Sequence, residues 1–456
     1  MNAPAPPELT PRAIILASVL AMILAGANAY LGLFAGMTIA SAIPAAVVSM
    51  AVLKLLGGGH ILENNIVATG ASAGTSIATG VIFTLPALLI LGYWQDFRYS
   101  WVLAIAGLGG LLGVLFSVPL RRSLIVEQGL AFPEGKAAAE VLKTGDNPGA
   151  GLKILAGAAS IGGLMKLAAG SGLRLIPDTA ASSAWWGNTL AYFGTNLSPA
   201  LFGVGYIVGL NIGIVMLAGG VIAWNIAIPL YSNFFLATDP VLSVELAGAT
   251  AEDAAYGIWS AQIRYLGVGA MLIGGVWTLI SLRHSLVSGI KSGIHAERGN
   301  GGVAIPRTER DLPMKLILLG LVVFVLPLMV LYQAIVGSWA VSIPMTVIMI
   351  VAGFLFVSVS AYMAGLVGSS NNPVSGLTIA TILFAALVLV TMLGPQSTIG
   401  AVATIMIGAV VCGAACIGGD NLQDLKCGYI LGATPWKQQF MLAVGGVSSA
   451  LIMAPV

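Results

Sequence analysis

Long apolar runs recur along the whole chain, and they constrain its fold more than any other feature. Residues 13–34 and 316–331 are apolar almost throughout, with no alternation between apolar and polar positions. A helix needs about 20 apolar residues to cross a bilayer, whereas a strand of a transmembrane barrel alternates over about 10 residues. The sequence therefore predicts an all-α polytopic membrane protein.

The composition argues against several other classes of protein. Hydrophobic residues make up 58% of the chain and charged residues only 8%, whereas soluble domains carry about 25% charged residues. The net charge of +2 comes without a basic patch interleaved with aromatic residues, so no nucleic-acid partner is expected. The N-terminal segment lacks the basic n-region of a signal peptide and no A-x-A cleavage site follows the first apolar run, so we expect this run to be retained as a span.

The apolar runs predict about 12–13 transmembrane helices in two related halves, with broken or re-entrant helices. We place the spans near residues 13–35, 38–56, 66–92, 101–118, 150–169, 200–223, 256–282, 315–336, 341–364, 373–393, 397–417 and 438–455. The stretch 173–196 contains Arg174, Pro177, Asp178 and two tryptophans. We expect a broken span or a re-entrant element there.

The distribution of Lys and Arg predicts the orientation, because cytoplasmic loops carry an excess of these residues. Residues 1–12 are expected to be a cytoplasmic tail and 283–314 a basic cytoplasmic linker. The linker would join a first membrane half, 13–282, to a second half, 315–456. The protein is therefore expected to be a multi-pass protein of the cell (inner) membrane with its N-terminus in the cytoplasm.

Residues 123–145 are too polar to span a membrane and too regular to be a plain loop. Pro133 and Glu134 suit the first turn of a helix, because proline needs no donor there and an acid favours the N-terminal dipole. We expect an interfacial cytoplasmic helix in this stretch.

The two predicted halves share weak internal similarity. The segment AYLGLFAG at 29–36 is echoed by AYMAGLVG at 361–368, and residues 60–74 are loosely echoed by 418–433. In each half, a break with Asn and acidic residues is expected beside a Gly-rich span. Paired interrupted helices in corresponding halves are a sequence indication of a transporter site.

The first candidate site is Glu63, Asn64 and Asn65, at the start of a span rich in Gly, Ser and Thr. Polar residues at 65, 69, 72, 76 and 79 follow helical spacing and form one stripe, which in lipid must face protein or water. A helix cap combined with ordinary packing is the alternative explanation, since an acid at a helix start favours the dipole.

The second candidate site is Ser369–Gly376, which contains Asn371, Asn372 and Ser375 between two apolar spans. The proline at 373 disfavours helix, and backbone groups freed inside a membrane must be satisfied internally or by water. The sequence favours a discontinuous helix at a binding site, with an ordinary polar loop as the alternative.

The third candidate site is the charged stretch 418–439 between two apolar runs. Asp420 and Asp424 lie four residues apart and would share a helix face, where two acids could relay protons or hold a cation. Lys426 could pair with an acid on a neighbouring element. The alternative is a solvated cytoplasmic loop, because the Lys/Arg pattern assigns this stretch to the cytoplasmic end of its spans.

We expect no resident metal, no cofactor and no enzymatic activity. Cys412 and Cys416 are four residues apart, but no histidine lies near them in the sequence, and cysteine is a common small residue in apolar helices. The chain contains no P-loop and no H-E-x-x-H sequence. It also lacks the Tyr-Asp pair that an intramembrane aspartyl protease would need.

These clusters resemble the signatures of the oligopeptide transporter (OPT) family, in its bacterial branch near the yellow-stripe-like members. The matching segments are Tyr30–Leu33, Ile43–Ala45, Ile61–Val67, Val81–Pro86, Phe132–Lys136, Ala139–Leu142, Asn371–Gly376, Gly419–Lys426 and Gly432–Pro435. They extend over about residues 13–440. The E-N-N, N-N-P and D-L-K…G-A-T-P blocks are specific in combination.

The resemblance implies secondary, proton-coupled import of small peptides, peptide-like compounds or metal–chelate complexes by alternating access. Family members have more membrane segments than we predict here, so the chain is expected to be C-terminally truncated, with an incomplete second half. The alternatives are a passive channel and a truncated family member that does not transport.

On this interpretation, each candidate residue receives a role. Glu63 is the predicted proton-coupling residue, and Asp420, Asp424 and Lys426 are assigned to gating or to a second proton step. The residues predicted to bind substrate are Tyr30, Asn64, Asn65, Asn371, Asn372 and Ser375.

Overall fold

The computed structural model describes residues 6–35, 38, 40–146, 150–169, 173–271, 273–274, 277, 280, 306–397 and 399–456. Within these residues, eight helices are long and apolar enough to cross a membrane: Pro11–Leu33, Ile61–Ile90, Tyr99–Glu127, Leu210–Phe234, Arg307–Val336, Trp339–Val367, Gly376–Leu393 and Gly400–Leu431. The prediction of an all-α polytopic membrane protein is confirmed.

The chain divides into two compact units. The large unit is Met1–Pro148 with Gly275–Val456, and the small unit is Gly149–Gly274. Residues 283–305 of the predicted linker lie outside the described residues, so the predicted boundary between two membrane halves stays a prediction.

The elements are numbered here in chain order. The large unit begins with α1 (Pro11–Ala35), α2 (Ala42–Leu55), α3 (Ile61–Ile82), α4 (Pro86–Ile90), α5 (Tyr99–Arg121) and α6 (Pro133–Asp146). The small unit contains α7 (Ala150–Ala168), β1 (Thr179–Trp186), β2 (Thr189–Asn196), α8 (Pro199–Val208), α9 (Leu210–Gly220), α10 (Ile228–Phe234), α11 (Pro240–Glu245) and α12 (Ala251–Ile258). The large unit resumes with α13 (Met314–Val336), α14 (Trp339–Val367), α15 (Val374–Leu393), α16 (Gly400–Leu431) and α17 (Pro435–Ile452).

Helices α3 and α16 form the buried centre of the large unit. The residues of α3 from Leu62 to Val81 are all buried, and α16 is buried along most of its length. Helices approach closely in this centre where a glycine of one helix lies against the backbone of its neighbour. A Cβ on Gly80 would lie 2.6 Å from the Cα of Gly413, so any side chain there would push the two helices apart.

Helix α16 is continuous through residues 418–431. The expectation that this charged stretch breaks the chain between spans 397–417 and 438–455 was therefore wrong. Its polar side chains are tolerated because they meet hydroxyl and amide groups of neighbouring helices inside the protein. A helix that buries polar groups with partners need not end where those groups occur.

Residues 179–196 form an antiparallel hairpin, so the expectation of a broken span at 173–196 was wrong, and the alternative of a re-entrant element stays a prediction. Thr179 pairs with Asn196 and Trp186 with Thr189, and Gly187 in the connecting turn has a φ of +62°. Glycine adopts this left-handed conformation readily, and short Gly-containing turns suit hairpins. Threonine and aromatic residues also favour strands.

The helix predicted to open at Pro133 is present as α6, and it begins at that residue. It packs against α2, α3, α14 and α16 within the large unit. The prediction of a helix break at residues 369–373 is also confirmed, because α14 ends at Val367 and α15 begins at Val374.

Candidate functional site

A small cavity in the large unit brings acidic residues together with the helix break. Its volume is about 20 Å³, and it is lined by Ala40, Ser41, Ala42, Ser72, Thr75, Glu134, Ser369, Asp420, Gln423 and Asp424. A cavity of this size has room for about one water molecule. We call Glu134, Asp420 and Asp424 the cavity carboxylates.

Serine hydroxyls of α3 hold the two aspartates of α16. Ser76 Oγ donates a hydrogen bond to Asp420 Oδ2 at 2.5 Å, and Ser72 Oγ donates one to Asp424. Both pairs are spaced by four residues, so one face of α3 matches one face of α16. Asp424 is buried, with 4% of its surface exposed, and Asp420 is partly exposed.

The cavity carboxylates have no cationic partner among the described residues. The ion pairs of the large unit lie elsewhere, and the Lys426 ammonium lies 5.7 Å from the ring centre of Tyr429. Acidic residues without a cation are costly inside a membrane protein and commonly mark ion or proton paths. The described residues also contain no group of three His, Cys, Asp or Glu side chains that could hold a metal ion.

Glu134 joins α6 to the helix break. Its Oε1 accepts a hydrogen bond from the Ser370 N–H at 2.8 Å. Burial raises the pKa of Glu134 above its usual value, and this effect outweighs the opposing effect of the N–H groups at Ser369 and Ser370. An acid with these surroundings, beside a cavity, is a candidate for a functional role.

Gln423 of α16 links α6 and α14. Its Oε1 accepts a hydrogen bond from the Gly135 N–H at 2.9 Å, and its Nε2 donates one to the Ala364 carbonyl oxygen at 2.7 Å. The amide therefore ties the first turn of α6 to the last turns of α14, next to the cavity.

The two asparagines of the break pair with α14. Asn371 Nδ2 donates to the Val367 carbonyl oxygen at 3.1 Å, and Asn372 Nδ2 donates to Ser360 Oγ at 2.9 Å. Asn372 Oδ1 is buried and has no hydrogen-bond partner among the described residues. The side chain of Ser375, in the first turn of α15, lies outside the described part of the structure.

Glu63 lies away from the cavity, in the first turn of α3. Both of its carboxylate oxygens accept hydrogen bonds from Arg12, from Nε and from one terminal nitrogen, each at 2.7 Å, and Thr10 also donates to it. His60 caps the helix, because its Nδ1 accepts from the Leu62 N–H. Nine residues separate Glu63 from Ser72, which is about 14 Å along a helix.

The other predicted residues also lie outside the cavity lining. Asn64 Oδ1 accepts from Ser49 Oγ at 3.0 Å, and the buried side-chain amide of Asn65 has no hydrogen-bond partner among the described residues. Tyr30 is 66% exposed on α1. Of the residues assigned roles from the sequence, the structure brings Asp420 and Asp424 to the cavity.

Sequence reasoning missed Glu134 and Gln423 as site residues. Glu134 was interpreted only as the opening residue of a helix, which it also is. Its position in a segment of polar and small residues between apolar spans could have marked it as a site residue. Gln423 is uncharged and lies between two aspartates, so the charge pattern gave no signal for it.

A larger cavity, of about 330 Å³, lies in the small unit. Its lining includes the aromatic residues Tyr192, Trp224 and Tyr256 and contains no carboxylate, amine or imidazole group. Burial, with help from the neighbouring Tyr256 hydroxyl, raises the pKa of Tyr192 to about 12. This cavity therefore offers no group that titrates near neutral pH.

Comparison with known proteins agrees with this architecture. The family model described as "OPT oligopeptide transporter protein" matches residues 8–456. A Haemophilus influenzae protein named "Putative oligopeptide transporter" is 37% identical over 445 residues, which cover 94% of this chain and 69% of the relative. No solved structure matches the chain. The extent of the family match and the identity to this relative show that the chain belongs to the OPT oligopeptide transporter family.

Proposed function

We propose that the chain is a secondary active transporter that couples uptake of small peptides, or of peptide-like or metal–chelate compounds, to proton movement. Membership of the OPT family and the name of the relative support oligopeptide transport as the general activity. The Lys/Arg pattern supports a location in the cell membrane with the N-terminus in the cytoplasm.

The observation that carries the proposal is the pair of aspartates on α16. Asp420 and Asp424 accept hydrogen bonds from neutral serine hydroxyls, and no described Lys or Arg pairs with them. A carboxylate in an ion pair is held in its charged form, whereas one bonded to neutral groups can exchange its proton more freely. These aspartates are therefore our first choice for the coupling groups, and Glu63 is the second.

The size of the cavity supports alternating access. At about 20 Å³ it is far below the roughly 300–1,000 Å³ of a site for a small ligand. Substrate could enter only after the surrounding helices move, and the break between α14 and α15 offers a place for that movement. A site this small favours a carrier, whose helices move, over a passive channel.

Uptake by purified protein in proteoliposomes tests the proposal. With labelled di- and tripeptides, we expect saturable accumulation that requires an inward proton gradient and stops when a protonophore is added. A channel would only equilibrate the peptide across the membrane. Uptake that does not respond to the gradient would overturn proton coupling.

Neutral variants assign the coupling groups. We expect Asp420→Asn and Asp424→Asn to lower gradient-driven uptake by about tenfold or more, equivalent to about 1.4 kcal/mol in the barrier. Glu140→Gln is the matched control, because Glu140 is an exposed acid that pairs with Lys143 on α6. Equal uptake in all three variants would remove the aspartates from the mechanism.

A further inference from the structure

The start of α6 is held against the end of α14 in a strained conformation. Phe132 has a φ of +44°, which is rare and unfavourable for a bulky side chain. The side chain is fully buried, and the Phe132 N–H donates to the Gly365 carbonyl oxygen at 2.9 Å. This strain persists because the contacts with α14 hold the backbone in place.

Two side chains complete the attachment. Glu134 accepts the Ser370 N–H beyond the end of α14, and Gln423 connects the Gly135 N–H to the Ala364 carbonyl oxygen. The start of α6 therefore contacts the last turn of α14 and the break that follows it. Both contact areas border the cavity that contains Asp420 and Asp424.

We propose that Glu134 is a positioning residue that transmits proton uptake to the helix break: protonated Glu134 keeps α6 docked on the break, and ionised Glu134 releases it. This inference rests on the proposed function, because it names the element through which a proton-coupled carrier would open. Glu134 acts through Ser370 and α14 and has no assigned contact with substrate.

The direction of the switch follows from proton linkage. Burial raises the pKa of docked Glu134 above the ordinary value of 4.5, whereas a Glu134 exposed to water would titrate near that value. The docked state therefore binds the proton more tightly. Docking is favoured below the ordinary value and weakens as pH rises through the raised one.

The groups around Glu134 reinforce this direction. The acidic and basic groups on the elements packed against α6 are Asp420, Asp424 and Lys426 on α16, Glu63 in the first turn of α3 and Lys54 in the last turn of α2, while α6 itself carries Lys136, Glu140, Lys143 and Asp146. The other titratable side chains on these elements are Tyr362 on α14 and Cys412, Cys416, Cys427 and Tyr429 on α16. The segment 364–370 contributes neutral groups only. Asp420 and Asp424 share the cavity with Glu134, so their negative charges oppose its ionisation.

Hydrogen exchange in the whole chain tests the switch directly. We would follow backbone exchange of residues 364–372 in nanodiscs, without substrate or gradient, after correction for the intrinsic effect of pH. In the wild type we expect protection to fall severalfold as pH rises through the raised pKa of Glu134.

Two substitutions at Glu134 separate charge from hydrogen bonding. Glu134→Gln is neutral at every pH and keeps an oxygen that can accept the Ser370 N–H, so residues 364–372 should stay protected throughout. Glu134→Ala removes the acceptor, so protection should be low throughout. Glu140→Gln, on the exposed face of α6, should behave as the wild type does.

Two results would overturn the inference: wild-type protection independent of pH, or Glu134→Gln with the pH dependence of the wild type. Asp424→Asn should retain a pH response, and its loss would move the switch to the aspartate. Because the exchange experiment uses no substrate, its failure leaves the proposed transport untouched. Conversely, failed uptake in liposomes would refute the proposed function without altering the exchange result.

Discussion

Two groups of acidic residues in the large unit have opposite surroundings. Glu8, Glu63 and Asp311 each have a basic partner within hydrogen-bonding distance, and we call these three residues with their partners the paired network. Among the described residues, the cavity carboxylates accept hydrogen bonds from hydroxyl and N–H groups and have no basic partner. Burial alone does not separate the groups, because Glu8 and Asp424 are both almost fully buried.

The paired network links segments that are distant in sequence. Glu8 contacts Arg307 at 2.7 Å and Lys437 at 3.7 Å, and it accepts the Thr434 N–H at 3.1 Å. It therefore joins the N-terminal segment to residues before α13 and to the start of α17. Such contacts hold elements in fixed positions, which is a structural role.

Because of these opposite surroundings, neutralising an acid should have opposite consequences in the two groups. In the paired network, removal of one charge leaves its partner uncompensated and destabilises the fold. In the cavity, removal of a charge relieves a desolvation cost but removes a group that can carry a proton. Substitutions in the paired network should therefore lower stability, whereas substitutions of the cavity carboxylates should lower transport.

The largest loss of stability is expected for Asp311→Asn. Arg121 has a side chain that is 1% exposed, and its Nε lies 2.5 Å from Asp311 Oδ1, so the variant leaves a buried guanidinium without its main partner. Breaking such a pair typically costs about 3–5 kcal/mol. Glu127→Gln is the control, since Glu127 pairs with the exposed Arg122 at 3.9 Å and should cost at most about 1 kcal/mol. The unfolding midpoints of the two variants measure these losses of stability. Equal shifts of the two midpoints would contradict the expected difference between a buried and an exposed arginine.

The sequence could predict features that depend on neighbouring residues. Pro133 marked the start of α6, the proline at 373 marked the helix break, and the polar stripe of α3 indicated a face turned towards protein. In each case the residues that carry the signal lie within one or two helical turns of the feature that they predict. The spacing of Asp420 and Asp424 likewise placed both residues on one face of α16.

The sequence could not predict features that depend on distant partners. The charged stretch 418–431 stays helical because α3, more than 340 residues earlier in the chain, supplies hydroxyls to Asp420 and Asp424. Glu63 pairs with Arg12 across 51 residues. The hairpin at 179–196 was missed because the long apolar runs on either side suggested a further membrane element, whereas local strand preference and a glycine turn determined the fold.

A smaller loss is expected for Glu8→Gln. The amide keeps an acceptor for the Thr434 N–H but loses its charge, and the basic partners Arg307 and Lys437 are 40% and 21% exposed, so water compensates them in part. Losing a hydrogen bond to a charged group costs about 1.5–3 kcal/mol. The unfolding midpoint should fall less than in Asp311→Asn. A fall as large as that of Asp311→Asn would show that exposure of the partner does not set the cost.

Glu63→Gln tests the prediction that Glu63 couples protons. Among the described residues Glu63 has one basic partner, Arg12, which is 37% exposed, whereas Glu8 has two, so we expect a smaller loss of stability than for Glu8→Gln. Because the ion pair holds Glu63 in its charged form, we also expect gradient-driven uptake to persist. Unchanged uptake would remove Glu63 from the mechanism, whereas loss of coupling in a folded variant would return it to first place.

The smallest effect on stability is expected for Asp424→Asn, together with a large loss of transport. Asparagine has nearly the shape of aspartate, and its Oδ1 can still accept the Ser72 hydroxyl. The substitution removes a charge that no cation in the described part of the chain offsets, so the unfolding midpoint should stay unchanged or rise. The change in unfolding midpoint when Ser72→Ala is added to Asp424→Asn measures how much the Ser72 hydroxyl contributes to packing at this position. A fall in stability as large as that of Asp311→Asn would mean that Asp424 is held by a cation after all, with Lys426 the nearest candidate in sequence, and the distinction between the two groups would fail.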